Sequence, residues 1–265
     1  MPYAQVGDIR IYYENHGQGE PLLLIMGLGG HILDWQPIAP SPLDQHYQVI
    51  LFDNRGAGRS DKPPGPYSLP HMAQDAARLL DVLGLESAHV FGVSMGGMIA
   101  QHLALDHPDR VRKLVLGCTM CGPSASVRAS DEVLAYLAPR PDLEPEEALW
   151  WSLPASYTEE FIAGHEELLR ERIRQHLQYP TPLHAYQAQL DAILKTHDTC
   201  DRLPGLPHRT LVITGTEDRL IPPENSRILA ARIPHAELRE IPGAGHVFWV
   251  SHPEETIQAL VEFLG

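Results

Sequence analysis

The sequence predicts an α/β fold, with a mostly parallel central sheet flanked by helices and a helical segment inserted between two strands. Short apolar runs alternate with helix-like segments along most of the chain. Several of these runs are apolar throughout, which is typical of strands buried on both faces of a parallel sheet. The alternation stops between about residues 120 and 206, where amphipathic stretches follow one another without strand-like runs between them. The 265 residues are enough for one large domain with a buried core.

The strands are predicted from runs rich in leucine and β-branched residues. Gly7 and Asp8 separate the first two extended pieces and indicate an antiparallel hairpin at the N-terminal end. The predicted strands that follow this turn are 9–14, 22–26, 49–53, 89–93, 113–118, 210–215 and 237–241.

Helices are predicted where good helix formers and apolar residues recur at helical spacing. Outside the inserted segment they cover 71–83, 95–107, 225–233 and 254–264, and inside it they cover 144–151, 159–179 and 183–196. We interpret residues 1–119 and 207–265 as the α/β core and residues 120–206 as a helical cap, or lid. The alternative is a second small helical domain with a role of its own.

Charge and composition restrict the function. The chain carries 20 Lys and Arg against 34 Asp and Glu, a formal net charge of −14 that disfavours nucleic acid and anionic membrane surfaces as partners. The first residues lack the basic and apolar regions of a secretory signal, and no apolar run reaches membrane-spanning length. We therefore expect a cytoplasmic protein that acts on a small molecule. The sequence leaves the oligomeric state open.

The cysteines do not form a recognisable metal or redox motif. Cys118 and Cys121 have the spacing of a redox pair or half a zinc site, but no second Cys/His pair accompanies them. With Cys200 the total is three, so we predict that they are buried free thiols. Neither a metal nor another cofactor is expected.

The stretch VFGVSMGGM, residues 90–98, places Ser94 between Gly92 and Gly96 at the end of a predicted strand and the start of a predicted helix. A strand that reverses directly into a helix needs a very tight turn, which exposes the serine hydroxyl and leaves no room for neighbouring side chains. The flanking glycines are thus a steric requirement of the turn. A serine nucleophile also needs a base within hydrogen-bond reach.

His246 is the preferred base because it lies in the loop PGAGH after the last predicted strand. His31, in the loop after the strand 22–26, is its main rival. The acid is expected in the loop after strand 210–215, where Glu217 and Asp218 are adjacent. Catalytic groups gather at the carboxyl ends of the strands in such sheets, and these loops lie there.

The motifs together resemble the α/β-hydrolase family over essentially the whole chain. They are LLLIMGLGG at 22–30, FDNRGAGRSD at 52–61, GVSMGG at 92–97, TGTEDRLIP at 214–222 and GAGH at 243–246. The resemblance implies a triad in the order Ser94, Asp218, His246. It also implies an oxyanion hole made by the backbone N–H groups of Leu28 and Met95.

Many members of the family begin the oxyanion loop with His-Gly, whereas this chain has Met26-Gly27. That histidine does not transfer the proton, so its absence does not affect the triad. In the family the loop that carries Arg55 is usually a structural brace, and a substrate-carboxylate clamp is the less favoured role for this arginine. The candidate pocket walls are Trp35, Trp150, Trp151 and Phe248, since pockets are lined chiefly by apolar and aromatic side chains.

The resemblance implies a cofactor-free serine hydrolase that cleaves carboxylic esters through an acyl-enzyme. The composition, an acidic chain with aromatic residues in its lid, suits small to medium, moderately apolar substrates. Several relatives keep other reactions open, because a fold does not fix a function. They include enol-lactonases, carbon–carbon bond hydrolases, cofactor-free haloperoxidase-like members and non-catalytic ligand receptors. The serine at the turn argues against haloalkane dehalogenases and epoxide hydrolases, which use aspartate there.

Overall fold

A computed structural model describes residues 2–265 and contains one eight-stranded sheet in the order β1-β2-β4-β3-β5-β6-β7-β8. β1 and β2 form the predicted hairpin, and β2 also pairs antiparallel with β4. The remaining neighbours pair in parallel. The strands are β1 Tyr3–Val6, β2 Ile9–His16, β3 Pro21–Ile25, β4 Gln48–Phe52, β5 Ala88–Val93, β6 Val111–Gly117, β7 Thr210–Gly215 and β8 Ala236–Ile241.

Both faces of the central sheet are covered. Every residue of β3, β5 and β7 is buried, which is why these strands read as continuous apolar runs. Successive side chains of a strand point to opposite faces, so Leu23 joins the apolar cluster on one side of the sheet and Leu24 the cluster on the other. The core therefore lies in two layers, with the sheet between them.

Ten α-helices are present in the part of the chain that the structure describes. Of these, α3 to α7 lie between β6 and β7 without a strand among them, and we call this helical segment the insertion. The helices are α1 Leu69–Val82, α2 Met95–Asp106, α3 Asp131–Ala135, α4 Pro145–Ser156, α5 Glu159–Gly164, α6 Glu166–His176, α7 Leu183–Thr196, α8 Glu224–Arg232, α9 Phe248–Ser251 and α10 Pro253–Leu264.

The insertion differs from the prediction at three helices, of which α3 Asp131–Ala135 was not predicted at all. The stretch 159–179, predicted as one helix, is divided at His165, whose backbone leaves the helical region with φ −134° and ψ 36°. The predicted helix 144–151 continues to Ser156 and contains Pro154. Helical periodicity continues through such a break, so the amphipathic pattern did not reveal it.

The cysteine prediction is wrong for two of the three residues. Cys121 and Cys200 form a disulfide, while Cys118 is a buried free cysteine as predicted. The bonded pair is separated by 79 positions in sequence and joins the first and last parts of the insertion. Such long-range pairings cannot be deduced from cysteine spacing.

Among residues 2–265, no helix is both long enough and apolar enough to cross a bilayer.

Candidate active site

Ser94 lies on a strained turn between β5 and α2. Its φ of 55° and ψ of −123° are unusual for a residue with a side chain. The glycines on either side make this turn possible: a Cβ on Gly92 would overlap the Gly96 carbonyl, and one on Gly96 would overlap the Ile25 carbonyl. The Ser94 N–H donates to the Gly117 carbonyl at 2.9 Å. The serine is therefore held at the carboxyl end of β5 with its side chain half-buried.

His246 and Asp218 form a buried pair beside this turn. The distance from His246 Nδ1 to Asp218 Oδ2 is 2.8 Å, and the two residues are only 5% and 2% exposed. The other carboxylate oxygen of Asp218 accepts the backbone N–H groups of Leu220 and Ile221, each at 2.9 Å. Three donors thus fix the carboxylate, and the His246 Nε2 is the ring nitrogen left available for proton transfer.

The sheet order explains why these groups meet. Ser94, Cys118, Asp218 and His246 follow β5, β6, β7 and β8, which are adjacent parallel strands. The Cys118 sulfur, an Asp218 carboxylate oxygen and a His246 ring nitrogen lie within 4.8 Å of one another. The Ser94 hydroxyl makes no hydrogen bond to His246 in this structure, and such contacts often tighten only when substrate binds.

The loop after β3 passes directly beside the serine. A Cβ on Gly27 would lie 3.1 Å from Ser94 Cβ and 3.6 Å from Ser94 Oγ. Within this loop the Gly29 N–H donates to Gln189 and the Gly30 N–H donates to the Gly27 carbonyl. The Leu28 N–H has no acceptor among residues 2–265 and is free to bind an anionic oxygen.

Met95 is the first residue of α2, so its backbone N–H lies at the N-terminal end of that helix. The N–H groups of the first helical turn have no partner within the helix, and the helix dipole favours negative charge there. Together with Leu28, this end of α2 can stabilise an oxyanion next to Ser94.

With this geometry in place, comparison with known proteins decides the family. The family model described as alpha/beta hydrolase fold matches residues 20–253, which is most of the chain. The chain belongs to the α/β-hydrolase family. The predicted fold class is confirmed.

Three similar proteins show the range of reactions within the family. A protein from Caulobacter segnis named "Putative carbamate hydrolase RutD" is 36% identical over 262 residues, which covers 96% of each chain. The enol-lactonase from Burkholderia xenovorans superimposes with a TM-score of 0.87 at 28% identity over 99% of each chain. A thermophilic esterase from Thermogutta terrifontis gives a TM-score of 0.84 at 32% identity over 98% of this chain and 95% of its own.

In this hydrolase the alternative candidates for the base and the acid, His31 and Glu217, lie outside the buried His246–Asp218 pair. His31 is fully buried, with Nε2 3.0 Å from the His176 carbonyl and Nδ1 accepting the Leu33 N–H. Both of its ring nitrogens are thereby occupied. Glu217 is exposed, whereas its neighbour Asp218 is buried against the imidazole.

Arg55 braces the hydrolase core. The side chain is 3% exposed and pairs with Asp75 at 2.7 Å and Asp8 at 2.9 Å. Although burial opposes the charged form, the hydrogen bonds to these carboxylates raise the pKa of the guanidinium above its ordinary value. Because both partners are acidic and close, Arg55 is not available to hold a substrate carboxylate.

The four aromatic residues predicted as pocket walls occupy two environments. Trp35 and Phe248 are fully buried, and Trp35 packs against Phe91 and Trp249 at centroid distances of 5.1 and 5.7 Å. As a fully enclosed core side chain, Trp35 does not wall a solvent-accessible pocket, which corrects that prediction. Phe248 is equally buried, so the prediction that it walls such a pocket is corrected for the same reason.

Trp150 and Trp151 lie half-buried on α4 of the insertion. The Arg170 guanidinium covers the Trp150 ring at 4.4 Å, and the Arg140 guanidinium covers the Trp151 ring at 4.7 Å. These contacts anchor both indoles within the insertion, and their contribution to a pocket stays a prediction.

An ion pair that the sequence did not reveal joins the insertion to the core near the site. The His176 Nδ1 at the end of α6 lies 3.0 Å from the Asp34 carboxylate in the short helix Ile32–Trp35. Burial lowers the pKa of His176, but the Asp34 charge outweighs burial and raises it. Since 142 positions separate the two residues, only the folded chain shows the pair.

Proposed function

We propose that this α/β-hydrolase is a serine hydrolase that cleaves carboxylic esters of small to medium, moderately apolar substrates through an acyl-enzyme. The observation that carries the proposal is the buried His246–Asp218 pair at 2.8 Å, at the same edge of the sheet as a serine held on a strained turn. A base oriented by a buried carboxylate near a serine hydroxyl is the arrangement that nucleophilic catalysis requires.

In the first half-reaction, His246 Nε2 takes the proton of the Ser94 hydroxyl while Ser94 Oγ bonds to the carbonyl carbon of the ester. The Asp218 carboxylate accepts the Nδ1–H and stabilises the imidazolium that forms. The bond from the carbonyl carbon to the alkoxy oxygen then breaks, and His246 returns the proton to the departing alcohol. Ser94 is left acylated.

In the second half-reaction, water loses a proton to His246 and attacks the acyl carbon, and the acid leaves as Ser94 regains its proton. In both steps negative charge develops on the carbonyl oxygen. We assign the backbone N–H groups of Leu28 and Met95 to this charge, because Leu28 follows Gly27, which packs against Ser94, and Met95 begins α2. The reaction uses only groups of the chain and water.

Charge supports an uncharged substrate. The net charge of −14 repels polyanions, and Arg55 is paired with two carboxylates.

We further propose that residues 120–206 act as a lid over the core formed by residues 1–119 and 207–265. The contact of the insertion with the loop after β3, through Gln189, supports a lid that limits access to Ser94.

A second candidate is carbamate hydrolysis. The relative from Caulobacter segnis that is named for this activity is similar over almost the full length of both chains. The same attack by Ser94 would release the alcohol and leave a carbamoyl group on the serine. Lactone hydrolysis uses the same chemistry, and its test follows from the likeness to the enol-lactonase.

The cytoplasmic location stays a prediction. The Cys121–Cys200 disulfide counts against it, because structural disulfides are rare in the reducing cytoplasm.

The proposal is tested by turnover of matched p-nitrophenyl esters, aryl carbamates and enol-lactones by the native chain and by Ser94→Ala. We expect ester turnover that Ser94→Ala abolishes. Ser124→Ala serves as the control, since that hydroxyl bonds Asp198 on the exposed surface. Faster turnover of carbamates or lactones would replace the ester assignment. A native chain that binds these compounds without turning over any of them would be a ligand receptor and would refute the proposal.

A further inference from the structure

The helical insertion holds the peptide groups of the loop Gly27–Gly30 in place. Gln189 of α7 accepts the Gly29 N–H at 2.9 Å through Oε1. Thr181, in the connection between α6 and α7, donates its hydroxyl to the Gly29 carbonyl at 2.9 Å. A Cβ on Gly29 would lie 3.2 Å from the Tyr186 ring, so a third residue of the insertion packs against the same glycine.

These contacts determine where the Leu28 N–H points. In a trans peptide the C=O and N–H are antiparallel. Fixing the Gly29 carbonyl on Thr181 therefore directs the Gly30 N–H the opposite way, toward the Gly27 carbonyl at 3.2 Å. The Gly27 carbonyl is fixed by this bond, so the Leu28 N–H of the same peptide group points in the opposite direction, away from the Gly30 N–H. Gly29, with a φ of +71°, allows this sharp reversal.

Gln189 binds the Gly29 N–H, so this donor of the loop is not free to bind an oxyanion. Its side chain is fully buried, and its Nε2 donates to the Arg55 carbonyl at 2.9 Å while its Oε1 accepts the Gly29 N–H. Each end of the amide meets the complementary backbone group, so a flipped amide would oppose donor to donor and acceptor to acceptor. With the Gly29 N–H bound to Gln189 and the Gly30 N–H bound to the Gly27 carbonyl, the Leu28 N–H stays available to an oxyanion.

We propose that Gln189 and Thr181 are positioning residues that orient the Leu28 N–H toward the developing oxyanion, so that the insertion contributes to catalysis as well as covering the core. This inference rests on the proposed function. Neither residue touches the substrate. Their contacts stabilise the transition state through the loop, because an oxyanion hole works only when its donors are held where the charge develops.

The test compares Gln189→Met and Thr181→Val with native enzyme. Both variants remove hydrogen bonds at nearly constant volume. We expect kcat for a p-nitrophenyl ester to fall by roughly tenfold to a hundredfold, less than the loss of a whole oxyanion donor, with KM changed by less than about threefold. A trifluoromethyl ketone, whose serine adduct carries an oxyanion, should bind more weakly by a similar factor. Thr181→Ser keeps the donor and should restore kcat.

Gln187→Met is the matched control, because Gln187 lies on the same helix and its amide bonds Asp191 on the exposed surface. Thermal unfolding identifies any variant that does not fold, and the Thr181 variants then decide the question. Unchanged kcat and ketone affinity in a folded Thr181→Val or Gln189→Met enzyme would overturn the inference alone. Native enzyme without turnover dependent on Ser94 would instead overturn the proposed function, and this inference with it.

Discussion

Replacing Asp218 by Asn tests how the carboxylate controls the histidine. One oxygen of Asp218 accepts two backbone N–H groups, from Leu220 and Ile221, and the other accepts His246 Nδ1. In the variant the amide oxygen must stay with the two backbone donors, so the NH₂ group faces His246. The imidazole then places its hydrogen on Nε2, and this tautomer cannot accept the Ser94 proton.

The contacts of Asp218 also set the size of the effect. Rotating the amide to recover the productive tautomer leaves two buried N–H groups unpaired, at a cost of about 2 kcal/mol each. A barrier raised by about 4 kcal/mol slows the reaction about 10³-fold, and the lost stabilisation of the imidazolium adds to this. We expect kcat to fall about 10³–10⁴-fold.

The assay is steady-state hydrolysis of a p-nitrophenyl ester, with circular dichroism to show that the variant is folded. Glu217→Gln is the matched control, because that adjacent carboxylate is exposed and should leave kcat nearly unchanged. A folded Asp218→Asn enzyme that keeps kcat within about tenfold of native would refute the reasoning about the tautomer.

Three further predictions concern the fold. Iodoacetamide should label no cysteine in the native protein, only Cys118 after denaturation without reductant, and all three after reduction; labelling of a second thiol without reductant would contradict the disulfide. His176→Asn should lower the free energy of unfolding by roughly 1–2 kcal/mol below about pH 6.5 and by less at alkaline pH. The reason is that Asp34 raises the pKa of His176, and the ion pair is lost as the pH rises through that raised pKa. An equal loss of unfolding free energy at both pH values in urea titrations would exclude this pH dependence. Gly96→Ala should destabilise the fold by about 1–3 kcal/mol through its clash with β3, while Gly164→Ala, with open space around it, should not; equal melting temperatures would disprove the steric argument.

The sequence predicted the elements whose pattern is local. The run from Ala88 to Val93 followed by Ser94 and α2 was evident, because a buried strand, a glycine-flanked serine and a helix are contiguous in sequence. The acid and the base could be assigned to loops after particular strands, since parallel strands bring their carboxyl ends to one edge. Thus the candidate site followed from the order of the motifs along the chain.

Features that depend on contacts between distant segments could not be predicted in this way. Gln189 lies 160 positions from the glycine it binds, and Cys121 is paired with a cysteine 79 positions away. An aromatic residue such as Trp35 fits a pocket or a core equally well by composition, and only packing shows that it is buried. Helix breaks such as the one at His165 interrupt the backbone without interrupting the apolar periodicity.

The proposed mechanism depends on Ser94 as the nucleophile. This role can be examined by incubating the native chain with an aryl phosphonate ester and locating the adduct by peptide mass spectrometry. We expect a single phosphonylated site, at Ser94, that forms in parallel with loss of ester hydrolysis and is missing in Ser94→Ala. An adduct on another residue, or full hydrolytic activity in the Ser94→Ala variant, would contradict it.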